Sequence, residues 1–188
     1  MVRCVIFDMD GTLTRPYIDW RRLRRDLGVP DGMTIMEYIS SLGGRDRERA
    51  LSILEDREYE AALNSELNEG LLELLGHLRG LGIKLVVVTN NSRRSAERIL
   101  EKHGLSFDLV LTREDGQVKP SGHLISKALE LTGVRGDEAV VIGDGRYDLE
   151  AAGRAGVRAI LLKHGGMDIE HRYSVSSLRE VPDLIRGL

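Results

Sequence analysis

Short β-branched runs alternate with helical stretches from residue 69 onward, and this alternation is the strongest constraint on the fold. Each run is four or five residues long and mostly apolar, as expected for strands that are buried on both faces. The alternation predicts a parallel sheet covered by helices on both sides, a three-layer α/β architecture. Strands are predicted at residues 3–7, 84–88, 107–111, 139–142 and 158–162, and helices at 93–103, 121–132, 146–155 and 177–187.

Residues 15–68 break this alternation, because their apolar residues recur at helical spacing and form no strand-like run. A small all-helical subdomain is therefore expected at residues 15–68, inserted into an α/β core made of residues 1–14 and 69–188. Three helices are predicted, carrying Trp20, Leu23 and Leu27, then Met36, Ile39 and Leu42, and finally residues 50–67.

Composition narrows the class of protein further. The chain has 188 residues, a net charge of −3 and one cysteine, Cys4, so it cannot be a disulfide-rich secreted scaffold. Its apolar runs are far shorter than the roughly 20 residues of a membrane span, and the first residues lack the features of a signal peptide. We expect a cytoplasmic protein that binds neither membrane nor nucleic acid, while the oligomeric state stays open.

Polar side chains collect where the predicted strands end. Ligands of open parallel sheets bind beyond the carboxyl ends of the strands, so we expect these side chains to converge there. Each also has a structural alternative: an acidic turn, a helix cap or a solvated lysine. The residues are Asp8, Asp10 and Gly11 after the first strand, Thr89 and Asn90 after the second, Lys119 in a later connection, and Asp144 and Asp148 after residues 139–142.

This set of side chains has the chemistry of phosphoryl transfer. Asp8 and Asp144, with Asp148 as a further candidate, offer the hard oxygen ligands that Mg²⁺ prefers. Asp10 is a second carboxylate, available for proton transfer. A nucleophilic carboxylate, a metal and a phosphate cradle together predict a phosphoryl-transfer site. The cradle would be built from Thr89, Lys119 and the backbone amides near Gly11.

The same residues resemble the four ordered motifs of the haloacid dehalogenase-like superfamily. The motifs are Asp8 to Thr12, Thr89-Asn90, Lys119-Pro120 and the glycine- and aspartate-containing residues 143–148. The chain is most similar to phosphatases of the phosphoglycolate phosphatase type, which carry a helical cap after the first motif. The resemblance implies a Rossmann-like core and a Mg²⁺-dependent phosphatase acting on a small phosphorylated metabolite.

Individual roles also follow from the resemblance. Asp8 would attack phosphorus and form an aspartyl-phosphate, while Asp10 would exchange protons with the leaving alcohol and water. Mg²⁺ would be bound by Asp8, by the Asp10 carbonyl and by Asp144, and Asp148 would orient water or the lysine. The phosphoryl oxygens would be held by Thr89, Asn90, Lys119 and Gly11.

Substrate contacts from the inserted helices are predicted only by position, at Arg15, Tyr17 and Arg45. The arginines at 21, 22, 24 and 25 are interpreted as a solvated helix face, with attraction of anionic substrates as the alternative. Residues 42–45 resemble the phosphate-binding loop of sugar phosphomutases, so a phosphomutase is an alternative activity. A phosphate-binding protein without turnover and a receiver-type signalling domain are more remote alternatives.

Overall fold

The computed structural model describes residues 1–166 and 168–188, and within these ranges the chain forms six β-strands and eight α-helices. The strands are β1 (Cys4–Phe7), β2 (Lys84–Val88), β3 (Leu109–Leu111), β4 (Ala139–Gly143), β5 (Arg158–Leu162) and β6 (Ser174–Val175). The helices are α1 (Trp20–Leu27), α2 (Ile35–Ser41), α3 (Gly44–Asn64), α4 (Leu71–Gly80), α5 (Arg93–His103), α6 (His123–Thr132), α7 (Arg146–Arg154) and α8 (Val181–Arg186).

The strands form one parallel sheet in the order β3-β2-β1-β4-β5-β6. β1 is central, and its last residue, Phe7, pairs with Val87 of β2 on one side and Ile142 of β4 on the other. Three neighbouring strands therefore end at the same level. This topology confirms the predicted parallel α/β fold, and it brings the segments after β1, β2 and β4 to one edge.

Helices cover both faces of the sheet, as the continuous apolar strands require. Alternate residues of each strand point to opposite faces, so that Val5 and Phe7 pack against α4, α5 and α8, whereas Cys4 and Ile6 pack against α6 and α7. Two separate hydrophobic cores result, one on each side of the sheet. The three predicted layers are thus present.

Several element boundaries differ from the predicted ones. β3 begins at Leu109 rather than at residue 107, because the Asp108 side chain, and not a backbone carbonyl, accepts the Leu85 N–H at 2.7 Å. α3 begins at Gly44 rather than at residue 50, since its first turns are charged and exposed and show no apolar periodicity. β6 was not predicted, because two residues are too short to give a strand pattern.

The three helices after β1 form a cap with an apolar core of its own. This core contains Leu23, Ile39, Ala50 and Leu54. Among the described residues, no helix of the cap or the core is both long enough and apolar enough to cross a membrane.

The two chain segments that connect the cap to the core lie side by side. Thr14 and Leu67 form an antiparallel bridge, and the Asn68 side-chain amide donates to the carbonyls of Gly11, Thr12 and Thr14 at 2.9–3.0 Å. The division of the chain at residues 15–68 stays a prediction, which this pairing favours.

Candidate active site

The sheet edge beyond β1, β2 and β4 opens into a cavity of about 670 Å³ between the core and the cap. Asp8 follows β1 directly and is kept in register by a backbone bond from its N–H to the Ile142 carbonyl, at 2.9 Å. The predicted residues that line the cavity are Asp8, Asp10, Gly11, Thr89, Asn90, Lys119, Asp144 and Asp148. All eight site residues that were predicted from the four motifs therefore lie around the same cavity.

Lys119 lies between two of the carboxylates. Its Nζ donates to Asp8 Oδ1 at 2.5 Å and to Asp148 Oδ1 at 2.6 Å, and its side chain is only 4% exposed. Burial lowers the pKa of this ammonium, but the carboxylates of Asp148 and Asp8 more than reverse the effect, so the pKa is raised and the charge is kept. The alternative of a solvated lysine is thereby excluded.

Asp8, Asp144 and Asp148 form an acidic cluster in which one oxygen from each lies within 4.8 Å of the others. Burial raises the pKa of Asp8 well above its ordinary range, and the charge of Asp148 raises it further. Burial and Asp148 likewise raise the pKa of Asp144 to about 7. Because these carboxylates repel one another out of water, the cluster can hold a divalent cation with oxygen ligands.

Gly11 makes room for one member of this cluster. Its φ is +80°, and a Cβ built on it would lie 1.9 Å from Asp144 Oδ2. Both the backbone conformation and the close approach of the carboxylate therefore require glycine. The turn after β1 and the segment after β4 are in contact through this residue.

Thr89 and Asn90 also have roles other than helix capping, since α5 is capped by the Ser92 side chain. The Asn90 amide donates to the Lys119 carbonyl at 2.9 Å, and its Oδ1 accepts the Lys119 N–H at 2.9 Å. This reciprocal pair fixes the backbone that carries the lysine. Thr89 is buried, and its hydroxyl accepts the N–H of Asn91 at 3.1 Å.

Asp10 is set apart from the acidic cluster. Burial raises the pKa of its carboxyl, which favours the protonated form, while a hydrogen bond from the Asn91 side chain partly opposes the shift. Asn91 is buried and lines the cavity, and the sequence analysis did not select it. Its position directly after Thr89-Asn90 was the available signal.

Glu58 of α3 is a second residue that the sequence analysis missed. Its side chain is 2% exposed, its Oε1 accepts from Arg113 Nη1 at 2.6 Å, and its Oε2 accepts the Ser92 N–H at 3.2 Å. Burial raises the pKa of Glu58 to about 7, although Arg113 lowers it in part. The available signal was a glutamate on the same helical face as Leu54 and Ala62.

His164 lies beside the site, and the sequence analysis did not select it. It follows β5 at the same sheet edge, its Nε2 donates to the Gly11 carbonyl at 2.6 Å, and it lies 3.7 Å from Asp144 Oδ2. The histidine thus supports the turn that carries Gly11.

The cap residues separate into two groups. Tyr17 lines the cavity, and so do Arg21 and Arg24, which had been interpreted as part of a solvated face. Arg15 instead forms an ion pair with Glu66 at 3.6 Å, and Arg45 is exposed near the start of α3. Among the residues that the structure describes as lining the cavity, neither arginine is present. Residues 42–45, which resemble a phosphomutase loop, also lie outside that lining.

A buried lysine among carboxylates, at the edge of a parallel sheet and beneath a helical cap, is the arrangement expected of an enzyme that acts on phosphoryl groups. Comparison with known proteins agrees. The family described as haloacid dehalogenase-like hydrolase matches residues 2–156, which is most of the chain. The protein therefore belongs to the haloacid dehalogenase-like hydrolases, and it is an enzyme of the phosphatase and hydrolase type.

Relatives of this protein carry related activities in their names. The chain is 29% identical to a phosphoglycolate phosphatase of Aquifex aeolicus, covering 98% of this chain and 96% of that one. It is 26% identical to the pyrophosphatase PpaX of Halalkalibacterium halodurans, covering 98% and 95%. A hydrolase from Pseudomonas syringae shares the fold with a TM-score of 0.83 at 22% identity, over 99% of both chains.

Proposed function

We propose that the protein is a Mg²⁺-dependent phosphatase that hydrolyses a small phosphorylated metabolite through an aspartyl-phosphate intermediate. The observation that carries the proposal is the position of Asp8, whose carboxylate is held by Lys119 at the floor of the cavity, next to Asp144 and Asp148. Relatives named for the hydrolysis of phosphoglycolate and pyrophosphate support the same class of reaction.

The acidic cluster fits Mg²⁺ in its chemistry. Asp8 and Asp144, with the Asp10 carbonyl, would hold the ion, which supplies positive charge to offset the carboxylates and the phosphoryl oxygens when it is bound. Asp148 is less free to bind metal, because Oδ1 accepts from Lys119 and Oδ2 accepts the Gly145 N–H at 3.1 Å. We assign Asp148 to orienting the lysine.

The remaining steps follow from the protein's own side chains. A carboxylate oxygen of Asp8 attacks phosphorus, the bond from phosphorus to the leaving oxygen breaks, and Asp10 gives its proton to that oxygen. Asp10 then removes a proton from water, which attacks the aspartyl-phosphate, releases phosphate and regenerates Asp8. Lys119, Thr89 and the backbone amides near Gly11 stabilise the phosphoryl charge.

The proposal is tested by replacing the nucleophile. We expect Asp8→Asn to reduce hydrolysis of an aryl phosphate by about 10³-fold or more, because removing a nucleophile costs other enzymes up to about 10⁶-fold. Asp56→Asn, an exposed change on α3, serves as the matched control and retains activity. Circular dichroism checks that both variants fold.

Two outcomes contradict the proposal. Activity that survives Asp8→Asn rules out the covalent route. Isomerisation of a sugar phosphate without release of free phosphate would identify the protein as a phosphomutase instead.

A further inference from the structure

The cavity extends well beyond the space around Asp8 and Lys119. Its volume of about 670 Å³ falls in the range of about 300–1,000 Å³ that holds drug-sized ligands. The cap contributes a second part of the cavity wall, whose apolar side chains are Ile18, Trp20, Ile35, Met36 and Leu54. This part of the cavity is available to the leaving group of a phosphate ester.

The core contributes apolar side chains to the same cavity. Val118, Tyr147 and Ile169 are part of the lining. Tyr147 is 42% exposed and Trp20 of the cap is 39% exposed, so two large rings in the lining are partly in water. Covering such rings with an apolar group removes apolar surface from water, which is favourable.

The cap side chains that line the cavity are called the cap wall, and most of its polar members already form hydrogen bonds within the protein. The Arg24 guanidinium donates to the carbonyls of Met33 at 2.7 Å and Pro30 at 3.0 Å. Thr34 accepts the N–H of Glu37 as the cap of α2, at 3.1 Å.

Outside the phosphoryl-transfer site, three other charged side chains line the cavity: one is engaged within the protein and two are exposed to water. Glu58 accepts hydrogen bonds from Arg113 and from the Ser92 N–H. Arg21 and Arg146 line the cavity but are exposed, so an uncharged ligand leaves both of them hydrated. A leaving group inside the cap half of the cavity thus meets a surface that is mainly apolar.

From these contacts we propose that the substrate is a phosphate monoester whose alcohol carries an alkyl or aromatic group of several carbons. This inference rests on the proposed phosphatase activity and specifies its substrate class. Away from the exposed Arg21 and Arg146, a carboxylate or a second phosphate on the leaving group would have to give up water against apolar side chains, which is costly without a partner. Phosphoglycolate and pyrophosphate are therefore expected to be poor substrates for this chain.

The test uses ethyl, butyl and hexyl phosphate with Mg²⁺, assayed by release of free phosphate. The three alcohols are nearly equal as leaving groups, so differences in kcat/KM report contacts made by the alkyl chain. A fully buried methylene is worth up to about fourfold. We expect kcat/KM to rise about twofold or more per methylene, which is roughly 16-fold from ethyl to hexyl phosphate.

Variants show whether the cap wall causes this dependence. Met36→Ser and, separately, Trp20→Ser are expected to reduce the ratio of hexyl to ethyl phosphate turnover. Leu63→Ser is the matched control, because Leu63 also belongs to the cap, is 45% exposed and lies outside the described lining. It is expected to keep the ratio of the unmodified protein.

The possible failures are distinguishable. Release of phosphate with equal kcat/KM for the three esters, or with a higher value for phosphoglycolate or pyrophosphate, overturns the substrate class and leaves the phosphatase activity standing. Release from none of these compounds, nor from an aryl phosphate, overturns both proposals. A ratio that is unchanged in both folded cap variants shows that the cap wall does not select the substrate.

Discussion

Gly11 shows how a single backbone position controls the acidic cluster. A side chain there meets two penalties, the left-handed φ of +80° and a carboxylate oxygen 1.9 Å from the Cβ position. Gly32 of the cap isolates the first penalty, since its φ is +83° and no atom lies within 4 Å of its Cβ position. The chain thus contains its own control for the effect of steric contact.

We expect Gly32→Ala to cost about 1–2 kcal/mol of unfolding free energy, the usual cost of the left-handed conformation. Gly11→Ala should cost more and should also displace Asp144, with a loss of activity of about 100-fold, as misplacement of catalytic groups by about 1 Å can produce. Urea unfolding and aryl phosphate turnover measure the two effects. Equal costs and equal activities for the two variants would show that contact with Asp144 is unimportant.

Lys119 provides the next test at the same scale. Lys119→Met leaves the buried carboxylates of Asp8 and Asp148 without their cation, and we expect it to cost about 3–5 kcal/mol of unfolding free energy at neutral pH. The cost should shrink at low pH, where the carboxylates take up protons. Lys163→Met, which is outside the site, serves as the control in urea titrations of both variants. A cost below 1 kcal/mol would contradict the assigned electrostatic role.

The residues that could be predicted from sequence were those at strand ends, because a parallel sheet brings strand ends together whatever the details of packing. Asn91 and His164 also follow strands, β2 and β5, so that signal was available for them, whereas Glu58 could not be placed in the same way. Glu58 belongs to the cap and accepts a hydrogen bond from the Ser92 N–H, which is 34 residues away in sequence. That contact depends on how the cap packs on the core. The position of Glu58 is therefore determined by tertiary packing, which no local sequence pattern predicts.

At the scale of elements, a buried charged link between cap and core runs from α3 to Arg113. This guanidinium pairs with Glu58 at 2.6 Å and with Glu55 at 3.2 Å, and the Arg113 N–H also donates to the Asn91 carbonyl at 3.2 Å. The cap is thereby joined to the segment after β2 that carries Thr89. Movement of α3 is expected to reach the phosphoryl site through this link.

The two glutamates allow a matched comparison, since they lie on one helix and share one partner. Glu58 is 2% exposed and Glu55 is 44% exposed. Glu58→Ala removes the buried acceptor of hydrogen bonds from Arg113 and from the Ser92 N–H. We therefore expect a loss of about 3 kcal/mol of unfolding free energy. Glu55→Ala should cost less than about 1 kcal/mol, as exposed ion pairs usually do. Similar costs in urea unfolding would show that burial does not set the strength of the link.

Element prediction succeeded where burial produces a continuous pattern. β1, β2, β4 and β5 are apolar along nearly their whole length because helices cover both of their faces, and the sequence shows this directly. The start of α3 is hydrated and the short β6 pairs for two residues only, so neither produces a hydrophobic period. The boundaries that were wrong are those that solvent or single tertiary contacts determine.

At the scale of the whole molecule, the insertion after β1 produces a cavity with two unlike ends. The core end carries buried carboxylates and Lys119, whereas the cap end is mainly apolar. A phosphate ester has the same division between its charged phosphoryl group and its alcohol. A change in the apolar cap side chains is therefore expected to alter the accepted alcohol more than the phosphoryl chemistry, whose carboxylates and lysine lie at the sheet edge.

The acidic cluster is also expected to make the stability of the whole molecule depend on pH and on any cation bound there. Burial and Asp148 raise the pKa of Asp144 to about 7, from an unfolded value near 3.8. Between these values the folded state holds a proton that the unfolded state has lost, so the stability of the metal-free protein falls as pH rises through this window. A cation binds the ionised carboxylates, and its effect therefore opposes the fall.

We expect Mg²⁺ in excess to raise the melting temperature more at about pH 8 than at about pH 5.5, because the proton competes with the metal at the lower pH. Asp144→Asn keeps the shape of the side chain but removes the titrating charge. This variant should lose most of the Mg²⁺ effect at pH 8 and should show a weaker decrease of metal-free stability with pH. Thermal melts with Mg²⁺ and with EDTA at both pH values make the comparison. If Mg²⁺ raises the melting temperature equally at both pH values, or as much in the variant as in the unmodified protein, the cation binds elsewhere. Competition between the metal and the proton is expected only if the metal binds the Asp144 carboxylate.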